Sequence, residues 1–256
     1  SEIFEIFSGN KRVLLFITES NIFKFDKQHA LQLMSKKFSY ESYCCYFYFY
    51  IKPFIDSKKQ NSILAFMKSD KDYESDSFAD NQKEAENETY ICKIIRNDDF
   101  PEFIKYTNQE EMSFSEKVCP SIFESNKVLL QRSPYLIEYA AFFGSFQIFK
   151  FLHLNEIDLS STLWGYAIHS QNFDIIHILE ENNVEPPDYS FKDCVIDAIK
   201  CHNCEIKDYL HEKKIKSYTK FDEDFKIASL KYRNYQYFPT DFNNYKLFYY
   251  LCKYNY

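Results

Sequence analysis

The sequence predicts an all-α fold in which helix pairs stack into a solenoid behind a helical N-terminal cap. Two observations predict it: a helix-pair pattern that recurs three times between Leu136 and Leu210, and a scarcity of glycine, with three in 256 residues. Scarce glycine disfavours folds that are built on tight β-turns or on phosphate-binding loops. A chain of this length can bury a sizeable core, as one elongated array or as two domains.

The recurring pattern is anchored on an alanine that is followed twelve residues later by a leucine. Its copies read LIEYAAFFGSFQIFKFL, LWGYAIHSQNFDIIHIL and CVIDAIKCHNCEIKDYL, and they align without gaps. Their spacings of 27 and 31 residues are typical of a repeat array. The shared slots hold Ala140, Ala167 and Ala198, then Phe146, Phe173 and Cys204, then Ile148, Ile175 and Ile206, and last Leu152, Leu179 and Leu210.

Each copy reads as a short helix, a tight turn near the position of Gly144, and a second helix with apolar residues at i, i+1 and i+4. A single pair of this kind cannot bury its own apolar stripe, whereas stacked copies bury it between them. We therefore expect the small alanine to lie where two neighbouring helices approach closely.

The segment YLIEYAAFFGSFQIFKFL resembles the helix pair of an ankyrin repeat, whose pattern is AAxxGHxxIVxxLL, and is most similar to divergent ankyrin-repeat proteins of the type abundant in protists. The chain departs from that family in three respects. The TPLH opening is reduced to Thr162, Gln171 and His202 replace the turn glycine, and 27 residues fall short of the usual 33. The short spacing leaves little room for β-hairpin fingers. The residues that occupy the pattern are Ala140, Ala141, Gly144, Ser145, Ile148, Phe149 and Leu152.

Weaker copies flank the strong ones, so the array is predicted over residues 90–256. Upstream, ICKIIRNDDFPEFIKY has the order helix, polar turn, helix, with Pro101 suited to a first helical turn. Downstream, FKIASLKYRNYQYF predicts a first helix around Ala228, and NYKLFYYLCKY a displaced second helix. These outer copies would act as end caps. The longer connection between Thr107 and Arg132 is read as helical.

The first ninety residues are of a different kind. Residues 1–68 contain RVLLFITESN, DKQHALQLMSKKF and YESYCCYFYFYIKPFI, which predict short helices of a leader or cap. Residues 69–89 hold eight acidic residues and two lysines, which is typical of a solvated linker or loop. The alternative for this acidic stretch is a docking site for a basic partner.

Composition excludes several classes of partner. Proteins that bind single-stranded nucleic acid combine aromatic residues with a basic groove, whereas this chain has a net charge of −7 and no arginine cluster. The most apolar stretches, VLLFI at Val13 and CCYFYFYI at Cys44, have five and eight residues, while a membrane-spanning helix needs about twenty. We therefore expect a cytoplasmic protein that binds neither nucleic acid nor membrane.

The eight cysteines are expected to be reduced thiols. Cys201 and Cys204 have the spacing of a zinc knuckle, which Cys194 or His211 could extend. A structural zinc site normally needs four ligands, and the other two copies form the same turn without thiols. No metal and no cofactor are therefore predicted, and Cys204 is expected to be a small buried apolar residue.

Sequence signatures of enzymes are missing. The chain has no GxGxxG, P-loop, HExxH or GxSxG motif. His169 and His177 fall in repeat helices, and Asp158 and Asp188 fall in connecting loops, where solvated turn chemistry accounts for them. We expect neither catalysis nor a small-molecule substrate.

The resemblance to ankyrin repeats implies a scaffold that binds a protein partner across a concave face formed by the first helices. One row of equivalent positions lies one residue before each anchor alanine, and a second row lies two residues after it. Two alternatives stay open: a self-associating structural protein, and a regulator with a site in the first ninety residues. The six candidate partner-binding residues are Tyr139, Tyr166 and Asp197 in the first row and Phe142, His169 and Lys200 in the second.

Overall fold

A computed structural model describes residues 2–35, 40–69, 77–131, 133–215, 218–238 and 245–254 of the chain. Throughout these residues the regular structure is helical, and no strand occurs among them. The all-α part of the predicted fold is therefore confirmed. The chain divides into two compact units: residues 1–93 with 117–134, and residues 94–116 with 135–256.

The first unit is a cluster of short helices. Its core is aromatic and centres on the segment from Tyr43 to Ile51, in which Cys44, Cys45 and Phe47 have no exposed surface. Each of the three N-terminal segments predicted to be helical contains helix among its described residues. The helices are α1 (Glu2–Phe7), α2 (Lys11–Glu19), α3 (Lys27–Leu33), α4 (Tyr40–Tyr46), α5 (Tyr48–Ile51), α6 (Ser57–Ser69), α7 (Phe78–Glu84) and α10 (Lys127–Gln131), with a 3₁₀ turn at Lys52–Phe54.

The predicted acidic linker differs from what the structure has. Residues 70–76 lie outside the described residues, but residues 78–84 form α7, whose Phe78 and Gln82 are buried. The Tyr46 hydroxyl donates to the carbonyl of Gln82, and the Gln82 amide donates to the carbonyl of Tyr46. The described part of this stretch therefore contains a helix that packs into the first unit. The longer connection that was read as helical contains only α10 in its described part.

The second unit contains the predicted repeats. Five first helices succeed one another along the chain, each followed by a turn, and four of those turns lead into a regular second helix. The division between the units falls within the earliest of them. The first helices are α8 (Tyr90–Arg96), α11 (Leu136–Phe143), α13 (Leu163–Ser170), α15 (Lys192–Lys200) and α17 (Tyr218–Tyr232); the second helices are α9 (Phe100–Gln109), α12 (Phe146–Leu154), α14 (Phe173–Glu181) and α16 (Cys204–Lys213).

The first helices that carry the anchor alanines pack on one another, and the alanines themselves are buried. α11 packs on α13, α13 on α15, and α15 on α17. Ala140, Ala167 and Ala198 have no exposed surface, and neither do the isoleucines and leucines of the shared slots. Cys204 is half-buried, and so are Phe146 and Phe173 in the same slot.

The turn between the two helices has the same backbone in every copy. Its central residue adopts a left-handed conformation, with φ from 48° to 73°. The amide of the next residue usually bonds the anchor carbonyl five residues back, at 2.9 Å from Ser145 to Ala140. This bond ends the first helix in the manner of a Schellman motif. Glutamine and histidine therefore replace glycine in an unchanged turn. The left-handed residues are Asp98, Gly144, Gln171, His202 and Arg233.

A ladder of side-chain hydrogen bonds, here called the turn ladder, joins each turn to the first helix of the preceding copy. The residue after the left-handed one donates to a main-chain carbonyl there: Asn203 to Ile168 at 3.4 Å and Asn234 to Ile199 at 3.0 Å. Ser145 donates to Ile95 in the same way, whereas Asn172 donates to the carbonyl of Gly144, the left-handed residue of the preceding turn. The turn ladder connects all five copies. It was not predicted from the sequence.

Replacing Asn203 with alanine is expected to lower the unfolding free energy by about 1 to 3 kcal/mol, because the change removes a helix cap and leaves a buried carbonyl unpaired. The Asn203 carboxamide oxygen accepts from the amide of Ile206 at 3.2 Å, and the side chain is 6% exposed. Urea titration measures the effect. The control is Asn182→Ala, since Asn182 is exposed and donates only within its own helix end. Equal losses for the two variants would contradict a role in joining copies.

The main-chain bond that ends each first helix corrects the register of the last copy. The amide of Asn234 donates to the carbonyl of Ser229, so Ser229 occupies the anchor slot, 31 residues after Ala198. The prediction that Ala228 is the anchor, which its residue type suggested, is wrong by one residue. The displaced second helix is present as α18 (Tyr245–Lys253), after a 3₁₀ turn at Tyr235–Tyr237.

Candidate partner-binding surface

The two predicted rows of the first helices differ in their exposure to solvent. Tyr139 and Tyr166, one residue before the anchors, are 1% and 2% exposed. The expectation that these tyrosines are exposed is wrong. Tyr139 packs on the ring of Phe143 at 4.7 Å between centroids, and Arg96 donates to its hydroxyl at 2.8 Å. A protein donor thus replaces water at the hydroxyl, so the whole side chain can be buried.

The second row remains accessible. Phe142 and His169 are half-buried and Lys200 is exposed, and each lies two residues after an anchor. The rings of Phe142 and His169 stack, with centroids 5.0 Å apart and planes at 30°. This row, Phe142, His169 and Lys200, is called the first-helix row below. It therefore offers an aromatic surface on two copies and an amine on the third.

The thiol of Cys201 extends the first-helix row through a contact with His169 that was not predicted from the sequence. The sulfur of Cys201 lies 3.2 Å from Nδ1 of His169, across two neighbouring copies. The signal was available, because Cys201 immediately follows Lys200 in the aligned pattern. Burial and, to a smaller extent, the charge of Lys200 together lower the pKa of His169 to about 4. Burial and the charge of Asp197, opposed by Lys200, raise the pKa of Cys201 to about 11.

Both shifts favour a neutral pair of thiol and imidazole. A cysteine nucleophile needs the reverse, a thiolate beside an imidazolium. The contact of Cys201 with His169 therefore joins two uncharged groups of neighbouring copies. It gives the first-helix row an uncharged centre.

Asp197 lies at the edge of this surface. Its carboxylate is 3.7 Å from the Lys200 amine, and both side chains are more than a third exposed. An exposed pair of this kind contributes between zero and about 1 kcal/mol. The Lys200 amine is therefore available to pair with a carboxylate of a partner.

Within the described part of the chain, no three His, Cys, Asp or Glu side chains converge as metal ligands would. The eight cysteines all belong to described residues, and none of them forms a disulfide. None of the helices in the described ranges combines the length and the apolar character needed to cross a bilayer.

Comparisons with known proteins add no assignment. No protein-family model matches the chain, and no similar curated protein or solved structure was found. The ankyrin resemblance therefore rests on the sequence pattern alone, and the recurrence of helix and turn is compatible with an α-solenoid.

Proposed function

We propose that this chain is a protein-binding module, an ankyrin-like array of stacked helix pairs that binds a protein partner through its first helices. The observation that carries the proposal is the first-helix row. Phe142, His169 and Lys200 come from three successive copies, at one equivalent position, on a scaffold whose anchor residues are fully buried. Rigid elements that repeat along an array suit recognition of an extended partner surface.

The chemistry of the first-helix row suggests what the partner presents. Aromatic side chains commonly anchor interfaces, and the stacked rings of Phe142 and His169 are already ordered, which lowers the entropic cost of binding. The imidazole is neutral, so the charge of the row comes from Lys200. A partner with an apolar side chain beside a carboxylate would complement this surface. Tyr166 packs edge-on against the Phe142 ring, with centroids 6.4 Å apart, and Asp197 lies 3.7 Å from the Lys200 amine.

The double variant Phe142→Ala, Lys200→Glu is expected to reduce the amount of captured partner by at least about tenfold, since it removes an aromatic anchor and reverses the charge beside it. Affinity capture with the full chain as bait, followed by quantitative mass spectrometry, measures this. Circular dichroism checks that the variant is folded.

The matched control is Lys150→Glu, which reverses the charge of an exposed lysine on the second helix α12. It should leave the captured partners unchanged. A folded double variant that captures the same partners in undiminished amounts would rule out the first-helix row as the binding surface.

We also propose a cytoplasmic location. The support is the cysteine chemistry, because all eight thiols are free and none lies in a disulfide. Proteins of oxidising compartments usually pair their cysteines.

A further inference from the structure

A second surface lies on the connections that lead from each second helix to the next first helix. Ile157, Val184 and Ile215 occupy equivalent positions, each five residues after the last leucine of its copy. Val184 and Ile215 line a cleft of about 500 Å³ together with Trp164. Ile157 and Val184 line a neighbouring cleft of about 360 Å³. Because Val184 borders both clefts, they form one surface, here called the connector groove.

The floor of the connector groove is fixed by the fold. The amides of Ile157 and Val184 bond the carbonyls of the leucines five residues before them, at 3.3 Å and 2.9 Å. The indole of Trp164 donates to the Val184 carbonyl at 2.7 Å, and the Phe191 ring packs edge-on against the indole, with centroids 4.9 Å apart. The apolar row is therefore in place before any ligand arrives.

The rim of the connector groove is mainly acidic. Asp158 and Glu185 directly follow Ile157 and Val184, and both are exposed, as is Glu156 beside them. None of these three carboxylates forms an ion pair within the described ranges. Two amines line the groove: Lys214 is neutralised by Glu180 at 2.8 Å, whereas Lys213 is exposed. Three uncompensated carboxylates against one amine favour a cationic occupant.

The spacing between the side chains of the apolar row limits which backbone conformations the occupant can have. Packed helices lie about 8 to 10 Å apart, so successive copies present their aliphatic side chains at about that interval. A polyproline II segment rises about 3.1 Å per residue with three residues per turn, so every third side chain recurs on one face after about 9 Å. A β-strand, with a repeat of about 6.6 Å for side chains on one face, fits this interval less well.

We propose that the connector groove binds an extended, basic segment of a partner protein in the polyproline II conformation. Aliphatic side chains at every third position contact the half-buried Ile157 and Val184, and the next one reaches the buried Ile215 at the wall of the cleft. Lysine or arginine residues between them pair with Asp158 and Glu185. This inference does not rest on the first-helix row, which lies on other residues.

Binding in the connector groove can be measured by tryptophan fluorescence, because Trp164 lines the groove and is the single tryptophan of the chain. Titration of the full chain with a synthetic peptide of repeating Leu-Pro-Lys is expected to change the tryptophan emission saturably. Raising the salt concentration should weaken the binding, since the rim charges are exposed. Fluorescence anisotropy of the labelled peptide measures the same affinity independently.

Two comparison peptides test the recognition. The first comparison peptide is a repeating Leu-Pro-Glu peptide, and the second has the same residues as the Leu-Pro-Lys peptide but places its leucines two residues apart. Each should bind at least about tenfold more weakly. Equal binding of the acidic peptide would overturn the charge complementarity, and equal binding of the alternate peptide would overturn the polyproline II fit. Absence of binding by both readouts would overturn the proposal.

Charge reversal in the protein provides the second test. The double variant Asp158→Lys, Glu185→Lys should weaken binding of the basic peptide about tenfold. The control variant Asp174→Lys, Glu205→Lys reverses two exposed carboxylates elsewhere on the array and should bind as the wild type does. Equal affinities of the two variants would contradict the assigned rim. Lys200→Glu should also bind the peptide normally, which separates this result from failure of the first-helix row.

Discussion

Replacing Lys11 with methionine is expected to lower the unfolding free energy of the first unit by about 2 to 5 kcal/mol, because several buried acceptors lose their donor together. Lys11 has no exposed surface. Its amine donates to the carbonyls of Ile122 at 2.6 Å and Glu124 at 2.8 Å, and to the hydroxyl of Ser42. The side chain thus connects α2 with α4 and with a segment more than a hundred residues away.

Hydrogen exchange with mass spectrometry measures this effect, because the first unit contains no tryptophan. Peptides that cover residues 11–19 and 121–126 should exchange faster in Lys11→Met. The matched control is Lys27→Met, in which an exposed lysine of the same unit is changed. If the two variants protect these peptides equally, the Lys11 hydrogen bonds do not stabilise the unit.

The same variant has a defined pH dependence. Burial lowers the pKa of Lys11 to about 7, and the charges of Glu124, Cys45 and Glu88 oppose this shift. In the unfolded chain a lysine titrates near pH 10.4, so between these values the unfolded state binds more protons and stability rises with pH. Methionine lacks this contribution. The stability difference between wild type and Lys11→Met should therefore widen from pH 7 to 8.5, by at most about 1.4 kcal/mol per pH unit.

The repeat region was predictable from sequence because its contacts are local and recur. Anchor alanines, slot isoleucines and slot leucines lie at fixed offsets, and every copy repeats the same burial. The turn ladder could have been found in the same alignment, since Asn172 and Asn203 both follow their anchor by five residues. Residue type misled the register of the last copy, where Ser229 rather than Ala228 bonds the turn.

The first unit was less predictable because its contacts join distant parts of the sequence. Nothing near Lys11 indicates that its acceptors lie at Ile122 and Glu124. In the same way, the high charge of residues 69–89 predicted a solvated linker, although Phe78 within this stretch packs into the core. The side chains that such a segment buries depend on contacts with residues far away in the sequence, which local composition does not reveal.

The candidate surface was predicted in part. Positions one residue before and two residues after an anchor are both near the edge of a first helix, and periodicity alone does not decide which one faces the neighbour. Tyr139 is buried and Phe142 is half-buried although both are aromatic. The difference depends on the contact with Arg96, which comes from another copy.

Replacing Tyr139 with alanine is expected to lower the unfolding free energy of the second unit by about 3 to 5 kcal/mol, as for other large buried aromatic side chains. Tyr139→Phe should cost only about 0.5 to 1.5 kcal/mol, because it removes the hydrogen bond from Arg96 and keeps the ring packed on Phe143. Urea titration followed by Trp164 emission measures both values, since this tryptophan belongs to the second unit.

The control for Tyr139 is Lys200→Ala, which truncates an exposed side chain on a first helix and should change stability by less than about 0.5 kcal/mol. The comparison also separates folding from binding. A partner lost with Tyr139→Ala but retained with Tyr139→Phe would follow from unfolding, because the hydroxyl is internal to the array. If Tyr139→Ala were as stable as Lys200→Ala, the tyrosine would have to be exposed, and the first row would again be a candidate binding surface.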